Sequence, residues 1–432
     1  MTAEIALLNR SAVTLAADSA VTIGGGGERN PKIFNTVNKL FTLSKHRPVG
    51  IMVYGSAQIL GVPWETIVKT YRRQLERKDF THLDDYAIDF LRYLEASRLF
   101  FPAAVQNEYF QGLVSAFYRS INSDIEDAVK KHLEQSGTIK PKEWRQIIQS
   151  EIGKRFNEFK GMKNLPKFSD KFATRLQQKF KASIKQIQSR IFKKLPLNSN
   201  DRARLNQLAG WIFVREKFGW QGTSGVVVAG FGQKDIFPRL KEYSVEGVIE
   251  NKLRFLARRD VQIGDKMDAS IIPFAQSEVV RSFIDGMDSG LEGLLYKFLD
   301  EVFANYPNIL LNHIPQLSAS VKSKAAKKTK AVSAEILKKF KDEFERFRRK
   351  TLVNPIVSTV GVLPKDELAA MAETLVSLTS FKRRFSFDAE TVGGPIDVAV
   401  LSKGDGFVWI RRKHYFKAEL NPNFLTNYFQ DE

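Results

Sequence analysis

The chain has 432 residues, 43% of them apolar, enough for two or three ordinary domains or one with large insertions. It contains no cysteine, which excludes disulfides, thiolate metal sites and cysteine nucleophiles and fits a reducing cytoplasm. The net charge of +19 is concentrated: residues 139–200 hold 16 Lys or Arg against 4 Asp or Glu, and residues 318–352 hold 12 against 4, which leaves a near-neutral body.

No basic stretch precedes the first apolar run, which Asn9 and Arg10 interrupt, so no signal peptide is expected. No window reaches the roughly 18 apolar residues of a membrane span, and a soluble, cytoplasmic protein without membrane partners is the expectation. Residues 3–55 read as β structure. IALLN and SAVTLAA flank a polar break at Asn9-Arg10-Ser11, a hairpin signal. GGGGERNP (24–31) is a loop, followed by strand-like KLFTL and VGIMVYG. From about residue 57 to 219 apolar residues recur at spacings of three and four, the pattern of helices. SGVVVAGFG, RLKEYSVEG and NKLRFLARR return to strand character. FAQSEVVRSFIDGMDSGLEGLLYKFLDEVF reads as helix, VKSKAAKKTK (321–330) as a mobile linker, 331–351 as helix, and PKDELAAMAETLVSLTSFKRR as a helix opened by Pro364. PIDVAVLSKGDGFVWIRRKHYF is a closing hairpin with Gly-Asp-Gly at its turn. Hairpins dominate and no βαβ alternation is visible, so the fold class is α/β with a largely antiparallel sheet.

A turn centred on Arg10 makes paired residue numbers sum to about 20, which sets Thr2 opposite Asp18, with Cβ atoms ~5 Å apart. Removal of Met1 would expose Thr2 as an N-terminus. Its α-amine, with a pKa of about 7.7–8.0, would lie beside its own hydroxyl and could act as the base for that nucleophile. By itself a Thr at position 2 carries no meaning, and Asp18 reads as a strand-end cap.

LAADSAVT, followed by NKLF and GIMVYGSA, resembles the opening of proteasome β-type subunits and their bacterial relatives in the N-terminal nucleophile (Ntn) hydrolase superfamily. SGVVVAGFGQKDIFPRLKEYSVEG, PKDELAAMAETLVSLTS and VGGPIDVAVLSKGDG resemble the family's central hairpin, last long helix and final strand pair, in the right order. The likeness covers about 2–75, 224–290 and 354–412. It implies a four-layer αββα sandwich divided as 2–99, 221–289 and 354–432, with basic helical insertions at 100–220 and 290–353. It implies a threonine-type peptidase, an oligomer acting on peptide or unfolded-protein substrates. Carried over residue by residue, Thr2 is nucleophile and base, and Asp18 orients a lysine. That lysine is Lys39 in NKLF, with Lys32 in PKIF as rival. Gly55 gives the oxyanion N–H, and Thr22 binds extended substrate through its backbone. Ser277, Asp388 and Thr391 are supporting residues, the last with Thr in place of the family's Ser.

Other signals point elsewhere. GGGG at 24–27 lacks the Gly-Lys-Ser/Thr of a phosphate loop, and the five histidines have no metal-ligand spacing. No cofactor or metal is expected. KFATRLQQKFKASIKQIQSRIFKK alternates basic and apolar residues. It reads as a solvated, packed helical insertion, or as a surface for nucleic acid or an acidic protein partner. A catalytically silent scaffold of the same fold is the other alternative.

Overall fold

The computed structural model describes residues 3–23, 32–219, 222–313, 318–385, 392–414, 416–423 and 426. The chain opens with β1 (Ala3–Asn9) and β2 (Ala12–Ala17), then the short pair β3 (Val21–Ile23) and β4 (Lys32–Phe34). β5 (Leu40–Thr42), β6 (Val49–Gly55) and a tight ribbon of β7 (Gln58–Ile59) and β8 (Val62–Pro63) follow. Seven helices come next: α1 (Trp64–Leu75), α2 (Leu83–Ala96), α3 (Ala103–Ser136), α4 (Pro141–Gly161), α5 (Asp170–Lys179), α6 (Lys181–Ile191) and α7 (Ser199–Val214). Four strands, β9 (Ser224–Gly230), β10 (Arg239–Ile249), β11 (Lys252–Gln262) and β12 (Ala269–Ala275), lead to α8 (Glu278–Asp285), α9 (Ser289–Asn312) and α10 (Ala319–Arg348). A π turn at Arg349–Val353 leads into α11 (Asn354–Val362), α12 (Lys365–Arg384), β13 (Asp397–Ser402) and β14 (Gly406–Arg411). The chain is therefore mixed α/β with antiparallel sheets.

Contacts divide the chain into two units. The first comprises Met1–Leu40, Ile236–Pro238 and Gln262–Glu432, the second Phe41–Asp235 and Arg239–Val261. The first unit holds a five-stranded sheet in the order β12-β1-β2-β13-β14, antiparallel throughout. Alternate residues of its strands face one way. Ile5, Leu7, Ala16, Val398 and Val400 pack there with Val360 of α11 and Leu368, Ala372, Leu375 and Val376 of α12 in one core.

The second unit holds a sheet in the order β11-β10-β9-β6-β5. Trp64, Ile67, Tyr71, Tyr86 and Phe90 of α1 and α2 pack with Ile51, Val226 and Val245 of that sheet. Helices α3–α7 build a second core from residues such as Phe110, Phe117, Ile152, Phe159 and Phe213, and Ile249 at the end of β10 belongs to it. The helical segment expected at 100–220 is thus tied to the sheet of its own unit.

Three expectations are corrected. The first hairpin pairs Glu4 with Ala17 and Leu8 with Val13, so residue numbers sum to 21 and Ala3, not Thr2, lies opposite Asp18. Asn9 sets that register: its Oδ1 accepts N–H bonds from Ser11 and Ala12 at 3.0 and 3.1 Å and the Ser11 hydroxyl at 2.7 Å, closing a two-residue turn. The stretch 321–330 is no linker but lies within α10, where Ala and Lys are good helix formers and no Gly or Pro interrupts them. The helix expected from Phe274 is strand through Ala275, then α8, a left-handed Gly286, and α9 capped by the Asp288 carboxylate. Among the described residues no helix is long and apolar enough to cross a membrane.

Candidate active site

The site is built where β2 ends beside the start of β1. Asp18 donates its N–H to Ala3 O at 3.1 Å, and Ala3 returns its own N–H to Asp18 Oδ1 at 3.1 Å. This clasp fixes the backbone bonded directly to Thr2. Lys39 Nζ donates to the same Oδ1 at 2.5 Å. Asp18 Oδ2 accepts from Gly393 N at 3.1 Å and from Ala20 N at 3.3 Å. The carboxylate therefore has four donors on its two oxygens, near its full acceptor capacity. Asp18 is wholly buried and Lys39 is 5% exposed. A buried ion pair survives only when its remaining bonds are made, and here three backbone N–H groups make them.

Local sequence explains how Lys39 arrives. The segment before it is fastened by Val37 N donating to Ser19 O at 3.1 Å. Gly394, at φ +77°, lies so close to Asn35 that a Cβ would sit 2.8 Å from the Asn35 carbonyl oxygen. Ser19 donates its N–H to Gly393 O at 3.1 Å and its hydroxyl to Pro395 O. The Gly393-Gly394 pair thus joins three segments: Asp18–Ala20, the approach to Lys39, and the entry to β13. Sequence reasoning missed Ala3, Ser19, Ala20 and Gly393, which act through backbone groups or a small hydroxyl. The di-glycine before the last strand pair was the available signal.

On the other flank of β1, Ala3 pairs with Ala275 of β12. Ala275 has φ +55°, a conformation that costs a non-glycine residue energy. Two residues on, Ser277 stands immediately before α8 without a side-chain capping bond, its N–H bonded to Ala275 O at 3.0 Å. Asp18 and Lys39 therefore meet at the first residue of β1, and Ser277 follows the β12 residue that pairs with it, in the same unit. Lys32 is exposed on β4, in the Ile23↔Lys32 pair. Thr22 lies in β3 opposite Ile33, and β3 has no strand on its other edge among the described residues. Gly55 ends β6 in the second unit. Its φ of +81° and the 2.7 Å that would separate a Cβ from Thr223 O require glycine. Thr2, Asp388 and Thr391 lie outside the described residues, as do GGGGERNP and the Thr22 side chain.

Among the described residues no three His, Asp or Glu converge to hold a metal ion. In the basic insertion the apolar positions are used for packing: Phe172, Leu176, Ile184 and Ile187 are buried in the helical core, while Lys171, Arg175, Lys181 and Lys185 are exposed. The chain matches no protein-family model and no curated protein sequence.

Proposed function

We propose that the protein is an N-terminal-nucleophile threonine peptidase related to proteasome β-type subunits, with the αββα sandwich fold of that family. The observation that carries this reading is the buried Lys39–Asp18 pair clasped to the backbone of Ala3, the residue bonded to Thr2. A lysine is rarely buried unless it is paired, and this pair is directed to the start of a strand whose preceding residue is a threonine.

In this reading Thr2 becomes the N-terminus by removal of what precedes it. Its amine takes the hydroxyl proton as Oγ attacks a substrate carbonyl carbon, and the positive charge of Lys39 favours the forming alkoxide. The N–H of Gly55 stabilises the tetrahedral oxyanion, a contribution of about 3–4 kcal/mol in such sites. The amine then protonates the departing amide nitrogen, the C–N bond breaks, and an ester on Thr2 remains. Water, deprotonated by the same amine, hydrolyses it. Ser277, Asp388 and Thr391 support the amine, and β3 at Thr22 offers an open edge for an extended peptide. Peptide or unfolded protein is the substrate, in an assembled oligomer of the cytoplasm.

Intact mass with and without a peptide epoxyketone tests the reading, because that probe needs both the hydroxyl and a free α-amine to close its ring. A chain beginning at Thr2 that gains one adduct, lost in Thr2→Ala, supports it. A mature chain that retains Met1 sinks it and leaves the silent scaffold.

A further inference from the structure

Residues 171–200 hold eight Lys or Arg and no Asp or Glu. They cover α5 and α6 and end at the start of α7, within the second unit. In the wider basic segment, 139–200, all four carboxylates are taken by cations of the chain itself. Glu143 meets His132 at 3.5 Å, Glu151 meets Lys154 at 2.5 Å, Glu158 meets Arg155 at 3.1 Å, and Asp170 meets Arg215 at 3.0 Å. Lys179 pairs with Glu250. Among the described residues, the exposed Lys171, Arg175, Lys181 and Lys185 meet no carboxylate.

These four share one face. At the join of α5 and α6, Phe180 N donates to Leu176 O and Ile184 N donates to Phe180 O, both at 2.9 Å, so helical bonding runs through the join. The buried stripe runs through it too: Phe172, Leu176, Phe180, Ile184 and Ile187 all lie in the helical core. At about 100° per residue the four cations fall within about 60° either side of the direction opposite that stripe. Gln178 and Ser189, both exposed, lie on the same side and extend the face to about 27 Å. Between 171 and 190 every apolar side chain except Ala182 is buried.

Charge and side-chain type indicate the occupant. A specific protein interface is built on apolar or aromatic anchors, with charged residues depleted at its centre. A bilayer surface takes up the apolar side of a helix. A single strand of nucleic acid is held by stacking on aromatic rings. This face offers none of these. It offers Lys and Arg with uncharged donors beside them, the side chains that meet phosphate oxygens. The major groove of B-form DNA admits an α-helix, whereas the deep, narrow groove of an RNA duplex does not. We propose that the α5–α6 face binds the phosphate backbone of duplex DNA, with Lys171, Arg175, Lys181 and Lys185 on phosphates and Gln178 and Ser189 donating beside them. At about 3.4 Å per base pair the face matches roughly eight base pairs. The proposal does not depend on the peptidase reading.

The test measures binding of the full chain to a fluorescent DNA duplex of about 20 base pairs, by anisotropy, from about 50 to 200 mM NaCl. The expected dissociation constant is micromolar at the lowest salt. Log K should fall with log salt at a slope of about −4, close to 0.9 for each of four phosphate contacts. Lys181→Gln/Lys185→Gln should weaken binding at least tenfold and reduce the slope by about two, with the unfolding midpoint unchanged. Lys327→Gln/Lys328→Gln, which takes the same charge from exposed positions on α10, should change binding less than threefold. Equal losses in the two variants overturn the proposal in favour of net charge alone. Tighter binding of oligo(dT) or of an RNA duplex overturns it in favour of that ligand, and binding only to phosphatidylserine vesicles in favour of a membrane. No binding of the DNA duplex at the lowest salt overturns it outright.

Discussion

Asp18 and Lys39 are not equal partners. Removing the carboxylate leaves a buried ammonium and three backbone N–H groups without acceptors, whereas removing the ammonium leaves a carboxylate that still accepts from Ala3, Ala20 and Gly393. Asp18→Ala should therefore cost about 3–5 kcal/mol, the range for breaking a buried pair. Lys39→Met should cost less, about 1–3 kcal/mol. Urea unfolding measures both, and equal losses would show that the backbone donors do not hold the carboxylate. Lys39→Met, still folded, should also lose the epoxyketone adduct, which separates its chemical role from its structural one. A similar carboxylate in the second unit gives a pH test. Asp235 accepts from Leu83 N and Gly232 N, both at 2.8 Å, faces His82 Nδ1 at 2.8 Å and pairs with Arg239 at 3.1 Å. Burial works to raise its pKa, but the bonds from His82, Gly232 and Leu83 and the Arg239 charge outweigh it and hold the group below its ordinary 3.8. A depressed carboxylate pKa adds stability above the unfolded value, and that stability fades as pH falls through the folded one. Asp235→Asn should be less stable than wild type at pH 7, and the gap should narrow below about pH 4. Unfolding midpoints at pH 7 and pH 3 measure it, and a constant gap would contradict the assignment.

At the scale of elements, the first hairpin depends on one side chain. Asn9 accepts from Ser11 and Ala12 through Oδ1 and donates through Nδ2 to Val360 O and Leu363 O, both at 3.0 Å. It thus closes the turn and ties it to the end of α11. Asn9→Ala takes a donor from the buried Val360 carbonyl and the half-buried Leu363 carbonyl and the acceptor from the turn N–H groups, and should cost about 2–4 kcal/mol. If the register loosens with it, adduct formation at Thr2 should fall more than stability does, since a slip of one residue inverts every side chain of the strand. The hairpin was legible from its alternation and polar break, but its register was not, because the Asn9 bonds rather than the composition choose a two-residue turn. Lys39 and Lys32 share the K-[IL]-F pattern, which left Lys32 a rival to the favoured Lys39; Lys39 is buried and Lys32 is exposed. β12 was hidden because Pro273 weakens a strand reading, yet Pro is tolerated there on the sheet edge. The first part of α10 was hidden because a lysine run suggests solvation, whereas its continuation from 331 was legible as helix. Ala326→Pro should break that helix at a cost of ~3 kcal/mol. Limited trypsin digestion should then cut faster within 322–330; unchanged cleavage would restore the linker.

The two units each carry cores, and in the second the helical insertion and the sheet are joined through Arg254. This guanidinium, fully buried, donates to Phe213 O at 2.9 Å, Lys217 O at 3.0 Å and Tyr109 Oη at 3.3 Å, and it pairs with Glu246. Tyr109 also donates to Glu246 Oε2 at 3.1 Å, and Gly219 N and Thr223 Oγ1 donate to Oε1. Burial pulls the Arg254 pKa down and pushes that of Tyr109 up. Every member of the network is supplied by either the strands or the helical segment, so neither side satisfies it alone. Arg254→Met should cost about 3–5 kcal/mol by leaving Glu246 buried beside its remaining donors. Lys179→Met, which removes a half-exposed pair with Glu250 between α5 and the β10–β11 turn, should cost less than about 1 kcal/mol. Adding Glu246→Leu to Arg254→Met should recover part of the loss, because a buried pair replaced by apolar side chains no longer holds an unpaired charge. If the double variant is no better than the single, the network and not the pair is the unit. The same geometry governs how the basic insertion can be studied. Excising 103–214 removes Tyr109 and the Phe213 carbonyl together and exposes Ile249, so the remainder should be insoluble whatever the insertion binds. Charge reversal at the exposed Lys171, Lys181 and Lys185 leaves the core intact. Such a variant should elute earlier from a polyanionic resin while keeping the wild-type unfolding midpoint, and unchanged elution would assign those charges to solvation alone.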